Sequence, residues 1–298
     1  MGTSANAVGI ATIAIGKGAL AEKDNGIAQG NGAVAKEVNS LAMGTAANAT
    51  GLAAMAIGNN AVAEKENGIA QGNGAIAKEV NSLAMGTAAN AAGPHAVSIG
   101  QNSQATMGNA TAVGSFAKAV GQSSLGLGHN ANAAGTQSVA VGWLSHATTE
   151  NAIAVGAKAN ALGDRSMAVG SSAQADGKYS IAIGRLANAA SEKAIAIGSD
   201  AKATLVNSVA IGENAKTLEA IATKTALTNN DVIATAAVVS FGNDTFQRRI
   251  QNVADGADLQ DAVTVSQLKA SRNNIANILG TSTAVNPQTG LIEATDIG

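Results

Sequence analysis

The chain has 298 residues, aromatics make up 2% and there is no cysteine, so a core of large side chains, a disulfide frame and thiolate metal ligation are all excluded. The formal net charge of −2 implies no polyanionic partner, so no nucleic acid is expected. No run of about 18 apolar residues occurs, so nothing in the chain spans a membrane as a helix and no direct membrane contact is expected.

The first residues pass straight from Met1 into Ile13, Ala14, Ile15 and Gly16, with no signal-peptide pattern, so an exported protein would contain this chain as an excised piece. From Gly16 a glycine returns every 14 residues, fifteen times without a slip, to Gly212. A fixed period outranks other sequence signals. The residues three and one before the glycine are apolar, apart from Thr111, Gln29 and Gln71, and the residue between them is alanine except at Ser98 and Gly126. Alanine also stands three and five after the glycine, with Ser103, Ser145 and Thr217 as departures.

Read physically, Ile181–Ile183 is a short strand with two isoleucines on one face and Ala182 on the other, and Ala187 to Ala189 is a second short strand. Two strands and two bends in one period suit a turn of a parallel β-solenoid, and fifteen turns at roughly 4.8 Å make a rod of roughly 70 Å. The repeated glycine predicts a corner with positive φ or no room for a Cβ. The large aliphatics are assigned to the interior, which turns the column Ala140, Ala154, Ala168, Ala182 toward another chain. A strand apolar on both faces is expected to be buried on both, so an oligomer follows. On that assignment Gln29 and Gln71 lie inside and bond to a loop backbone, water or an ion.

Asn25–Ala49 recurs as Asn67–Ala91, with Val34 replaced by Ile76 as the single change. The offset is three whole turns, which keeps strand register. The period ends after Ala215. We therefore divide the chain into a β-roll head at 1–217, a connector and neck at 218–262, a coiled-coil helix at 263–280 and the start of a further stalk module at 281–298. Val265, Leu268, Arg272, Ile275 and Leu279 fall at heptad spacing, with Asp261 as the expected N-cap and Gly280 as the stop.

NSVAIG at Asn207–Gly212, with QSVAVG and RSMAVG before it, resembles the head repeat of the trimeric autotransporter adhesins, the YadA-type left-handed parallel β-roll. RRIQNVADG at Arg248–Gly256 followed by DAVTVSQLK resembles the neck of the same family. The resemblance implies a homotrimer on the surface of a Gram-negative bacterium. Signal peptide and outer-membrane anchor would lie outside this chain, and the head would bind host extracellular-matrix proteins, cell-surface receptors or other bacteria through self-association. In the neck, Arg248 and Arg249 beside Asp255, Asp258 and Asp261 are expected to form ion pairs or main-chain bonds between chains.

No catalytic constellation is present and no cofactor or metal is implied. His95, His129 and His146 lack a carboxylate or thiolate set around them. The six-residue rhythm of hexapeptide acyltransferases and the threonine column of ice-binding solenoids are both missing, which leaves a passive spacer as the alternative to an adhesin. Two surfaces break the solvated pattern. One is Leu20, Val34, Val62 and Ile76, four residues after the glycine in the first five turns, where the other turns are polar. The second is Trp143, Leu144 and His146 with Phe116, since tryptophan is enriched in binding hot spots.

Overall fold

Each 14-residue period closes one turn of a parallel β-solenoid in the computed structural model, which describes residues 2–218 and 237–278. A turn contains a three-residue strand, such as Ile181–Ile183, and a two-residue strand, such as Asn188–Ala189. The long strands stack into a sheet of 16 and the short ones into a sheet of 15. Pairing is in register one turn apart, so Ile181, Ala182 and Ile183 lie beside Ile195, Ala196 and Ile197. Every sequence column therefore becomes a column in space.

Both corners of a turn place one residue at positive φ, Leu186 at 56° and Lys193 at 54° in the turn of Gly184. Only one corner opens on the repeated glycine. Gly184 has φ 132°, and a Cβ there would lie 2.4 Å from the carbonyl oxygen of Gly198 in the next turn. Conformation and space both demand glycine. The opposite corner opens on residues such as Glu37 or Ser191 at ordinary φ, so that column varies.

The structure inverts the expected faces of the long strands. The alanine column is inside: Ala140, Ala154, Ala168, Ala182 and Ala196 are fully buried. The flanking aliphatics point outward: Ile183 and Ile197 are exposed, and Ile181 and Ile195 are half-buried. Gln29 and Gln71 also lie on this outer face and are exposed, so their expected inward bonds do not form. The reason is the thinness of the roll. Ordinary stacked sheets stand about 10 Å apart, but the four- and five-residue links at 184–187 and 190–194 fold into tight corners that hold these two sheets closer. A Cβ at Gly126 would sit 2.5 Å from the backbone oxygen of Lys118 across the roll. That contact excludes even alanine at Gly126; the other inward positions hold alanine, serine or glycine, and among the described residues the bulkiest fully buried side chain is Thr217.

Several polar departures inside the roll find partners, while the buried hydroxyls of Ser138, Ser166 and Ser180 have none. Ser98 and Ser103 replace alanine in one turn and bond to each other across the core at 2.7 Å. Ser124 and Ser208 donate to the carbonyls of Gly121 and Leu205 at 2.7 and 2.6 Å. Thr217 marks the end of the roll. Its hydroxyl accepts from the Thr204 amide at 3.0 Å, in place of the carbonyl of the same column that serves other turns, as Ala203 does for Ala190. Val239–Ser240, inside the stretch read as connector, adds the last strand of the long-strand sheet beside Val209 and Ala210. The Lys216 amide donates to the Gly242 carbonyl at 2.8 Å. Both sheet edges at this end are thus occupied, which removes a template for aggregation.

Residues 248–298 form a separate unit. Its helix, α1 at Val265–Ile278, begins later than Asp261 would set it. Thr264 is the N-cap instead: its hydroxyl accepts from the Gln267 amide, and the Gln267 side chain accepts from the Thr264 amide, both at 3.2 Å. This is a capping box. Gln267 also pairs with both backbone groups of Gly256, at 3.0 and 2.8 Å, and Thr264 donates to Asp255. Asp261 closes the turn upstream by accepting from the amides of Ala257 and Asp258 at 2.9 and 3.0 Å. The seam residues Val265, Leu268 and Ile275 are 69%, 65% and 52% exposed on one chain, so the helix buries them against other chains or not at all. Leu279, Gly280 and the stretch 281–298 lie outside the described residues.

Two outcomes follow. Ala154→Leu overpacks the gap and lowers trimer stability by roughly 1–3 kcal/mol in denaturant unfolding; an unchanged midpoint would mean the sheets stand further apart than described. The amide bonds from Asp258 and Ala257 hold the Asp261 carboxyl below its ordinary 3.8. A depressed carboxylate stabilises fully above the unfolded value and loses that contribution as pH falls through the folded one. An acid titration followed by NMR should therefore move the Ala257 and Asp258 amide signals below the ordinary range, and Asp261→Asn should abolish that transition. Signals that titrate at the ordinary value would refute it.

Candidate adhesive surface

The two outer faces of the roll differ in chemistry. Outside the long-strand sheet every turn presents two positions that are aliphatic almost throughout. Outside the short-strand sheet one position per turn points out, and it is Asn, Gln, Lys or His in all turns but four. Those four are Leu20, Val34, Val62 and Ile76. The register brings them into one stripe, Leu20 beside Val34, Val34 beside Asn48, Asn48 beside Val62 and Val62 beside Ile76. Leu20, Val34 and Val62 are half-buried by their neighbours in the stripe, while Ile76 is exposed.

The second predicted group also comes together, on the glycine corner and the short-strand face. Phe116 and Leu144 occupy the positive-φ position of their corners, at 57° and 54°. With Asn130 between them they form one wall of a cavity of about 270 Å³, whose other wall is Lys118, Asn132 and His146. Trp143 is 48% exposed and stands next to this groove, with the Lys158 ammonium 5.0 Å from its ring centroid. The Phe116 ring meets His129 edge-on at 6.2 Å. His129 is a member that sequence reasoning left out of the group. The available signal was its place in the column one before the corner residue, one turn below Trp143.

A second cavity, of about 340 Å³, went unpredicted. It is lined by Ser172, Gln174, Leu186, Asn188, Asp200 and Lys202, the same two columns four turns further on. The enclosed atoms Asn132 Oδ1 and His146 Nδ1 in the first groove, and Asn188 Oδ1 in the second, have no hydrogen-bond partner.

The opposite corner carries a charged cluster. Arg165 donates to the Tyr179 hydroxyl at 3.1 Å and lies 3.5 Å from Asp164 and 3.6 Å from Glu150. The bond to Tyr179, and then the charge of Asp164, raise the guanidinium pKa above its ordinary value. Lys178 pairs with Asp164 and sits over the Tyr179 ring at 5.0 Å. These pairs are exposed and solvent-screened, so they order the corner and add little stability. Burial alone raises the Asp176 carboxyl pKa. Among the described residues no group of three or more His, Cys, Asp or Glu could hold a metal ion. In the neck, Asp255 and Asp261 are engaged by Thr264 and by backbone amides of their own chain, and Arg248 and Arg249 are exposed.

The sequence model of the YadA head domain repeat matches in eight segments between residues 21 and 215, and that of the coiled stalk of trimeric autotransporter adhesin matches residues 249–290. No curated protein matches the chain. Among solved structures, the collagen-binding domain of the Yersinia adhesin YadA is 23% identical, with 76% of this chain and 87% of that one covered at a TM-score of 0.31. The C-terminal YadA-like domain of a Burkholderia pseudomallei protein is 27% identical, with 40% and 59% covered at a TM-score of 0.23. The family matches span more than half of the sequence, in the order head and then stalk, and the chain belongs to the trimeric autotransporter adhesins as a YadA-type head joined to the beginning of its stalk.

Proposed function

We propose that three copies of this chain assemble through the outer face of the long-strand sheet and present the outer face of the short-strand sheet to host extracellular-matrix proteins or cell-surface receptors. The observation that carries this reading is the chemical difference between the two faces. A continuous aliphatic sheet face extending over all the turns is far larger than the patches that monomeric proteins leave in water. The exposed seam of α1 adds an independent reason for association. The trimer interface is thus lined by valine, isoleucine, leucine and methionine, and not by the alanines first expected there.

Gln29 and Gln71 then belong to that interface. Each interrupts an aliphatic column, Gln29 between Ile15 and Met43 and Gln71 between Ile57 and Met85. Single polar residues in an apolar seam fix register and copy number at some cost in stability. We assign the two glutamines that role, bonded to their counterparts or to trapped water or an ion. Arg248 and Arg249 take the corresponding part in the neck, through bonds to neighbouring chains. The trimer stands on the bacterial surface, anchored in the outer membrane. Contact between heads on neighbouring cells is a second use of the same outer face.

Sedimentation at micromolar concentration should give three times the chain mass. Ile183→Asp with Ile197→Asp should dissociate the head, while Gln174→Asp with Asn188→Asp on the other face should not. A folded monomer of the unmodified chain would overturn the interface. The adhesive reading is checked by binding of the trimer to immobilised collagen, fibronectin and laminin and to cultured cells, collagen being the ligand named for the Yersinia domain. Changing Leu20, Val34, Val62 and Ile76 to Asn separates the apolar stripe from the Trp143 corner as the contact. Binding to none of these surfaces would refute it.

A further inference from the structure

The geometry points to the groove walled by Phe116 and Leu144, with its repeat four turns on, as the seat of a linear glycan that carries acetamido and carboxylate groups without sulfate. This rests on the reading above that the short-strand face looks outward from the trimer.

The first observation is backbone strain that the fold does not need. Most turns put glycine, asparagine or another small residue at the positive-φ position of the glycine corner. Phe116, Leu144 and Leu186 hold bulky side chains there, at 57°, 54° and 56°. A left-handed conformation costs such residues about 1–2 kcal/mol each. None of the three contributes to the core, since that corner points away from it and Phe116 is 43% exposed. Strain kept without a packing return marks a contact made with something else.

The second observation is unused hydrogen-bonding capacity beside that apolar wall. Asn132 Oδ1, His146 Nδ1 and Asn188 Oδ1 are enclosed with no partner. Such atoms cost about 1–3 kcal/mol each until something bonds to them. Small rotations of these side chains turn them to an incoming hydroxyl or amide. Between Lys118 and Lys202 the outward column reads Asn132, His146, Asn160, Gln174 and Asn188. Amides both donate and accept, as hydroxyl and acetamido groups require. The wall of Phe116 and Leu144, with Trp143 beside it, suits the CH faces of sugar rings and an acetyl methyl.

Periodicity and charge select among ligands. The column rises roughly 4.8 Å per turn, or roughly 9.6 Å per two turns, close to the repeat of an alternating disaccharide along an extended chain, so every second turn meets the same face and substituent of the glycan. An extended peptide presents like-facing side chains about 6.6 Å apart and drifts out of step. Each groove has one lysine, Lys118 or Lys202, and the second also has Asp200. That is enough for an occasional carboxylate and far from the dense cationic patch that a sulfated chain needs.

The test uses the full-chain trimer and immobilised hyaluronan fragments, with heparin, collagen and cultured cells in parallel. We expect hyaluronan to bind, and a fragment long enough to reach both grooves to bind more tightly than a tetrasaccharide. Phe116→Asn with Leu144→Asn should reduce binding at least tenfold. Because asparagine tolerates positive φ, the same variant should melt at an equal or higher temperature, which separates lost contact from lost fold. Undiminished binding by this variant, preference for heparin, or no hyaluronan binding would each overturn the proposal. Failure on hyaluronan with retained binding to collagen or cells leaves the adhesive reading standing, whereas failure on every surface removes both.

Discussion

Everything in the head depends on how closely its two tight corners hold the sheets together. Two sheets linked by such corners lie too close for any inward side chain larger than a threonine. The interior is therefore a lattice of alanine methyls and serine hydroxyls. Each contributes little hydrophobic area, and stability comes from the sum over many identical turns and from the in-register backbone ladders between them. This is the quasi-one-dimensional regime of repeat proteins, in which each unit depends on its neighbours and the two ends need special treatment. Thr217 and Val239–Ser240 provide that treatment at the neck-proximal end.

A core that excludes valine and isoleucine leaves them no place but outside. The aliphatic outer face is thus a direct consequence of the narrow gap, and in the proposed trimer the missing hydrophobic burial is recovered between chains. On that reading one sheet serves assembly, which frees the other to vary. On that second face and its corners the turns differ most: an aliphatic stripe at the start, a tryptophan corner and amide ladder in the middle, and a charged cluster around Tyr179 on the opposite corner. None of these side chains takes part in holding the roll together.

Much of this was legible in the sequence, because a period that never slips converts columns of text into columns of atoms. The Gly16–Gly212 column gave the corner, and the order of repeat, neck and heptads gave the family. Alternation in Ile181, Ala182 and Ile183 was correct, but which side was the interior was not. Size is the usual guide to burial, and here it misleads, because the sheet spacing that decides the matter is set by corner length and not by the strands. The glycine corner's walls were half visible: Phe116, Leu144 and His146 stood out by residue type. The second groove did not, since Leu186 and Asn188 look ordinary until the columns are stacked. Thr264 to Gln267 spelled a capping box that was passed over for Asp261, a stronger acid at the wrong spacing from the first helical turn.

The near-perfect copy of Asn25–Ala49 at Asn67–Ala91 has a genetic consequence. Because the protein tolerates any whole number of turns, the gene can gain or lose such cassettes by unequal recombination between the copies without a folding penalty at the junction. Head length then becomes a variable that a bacterial lineage can adjust in steps of three turns, or roughly 14 Å at the strand spacing. The same freedom allows a misassembled trimer in which one chain is offset by that step and Gln29 meets Gln71. The heptads of the stalk follow the copies without duplication, so in the proposed trimer their pairing opposes such an offset together with the glutamines.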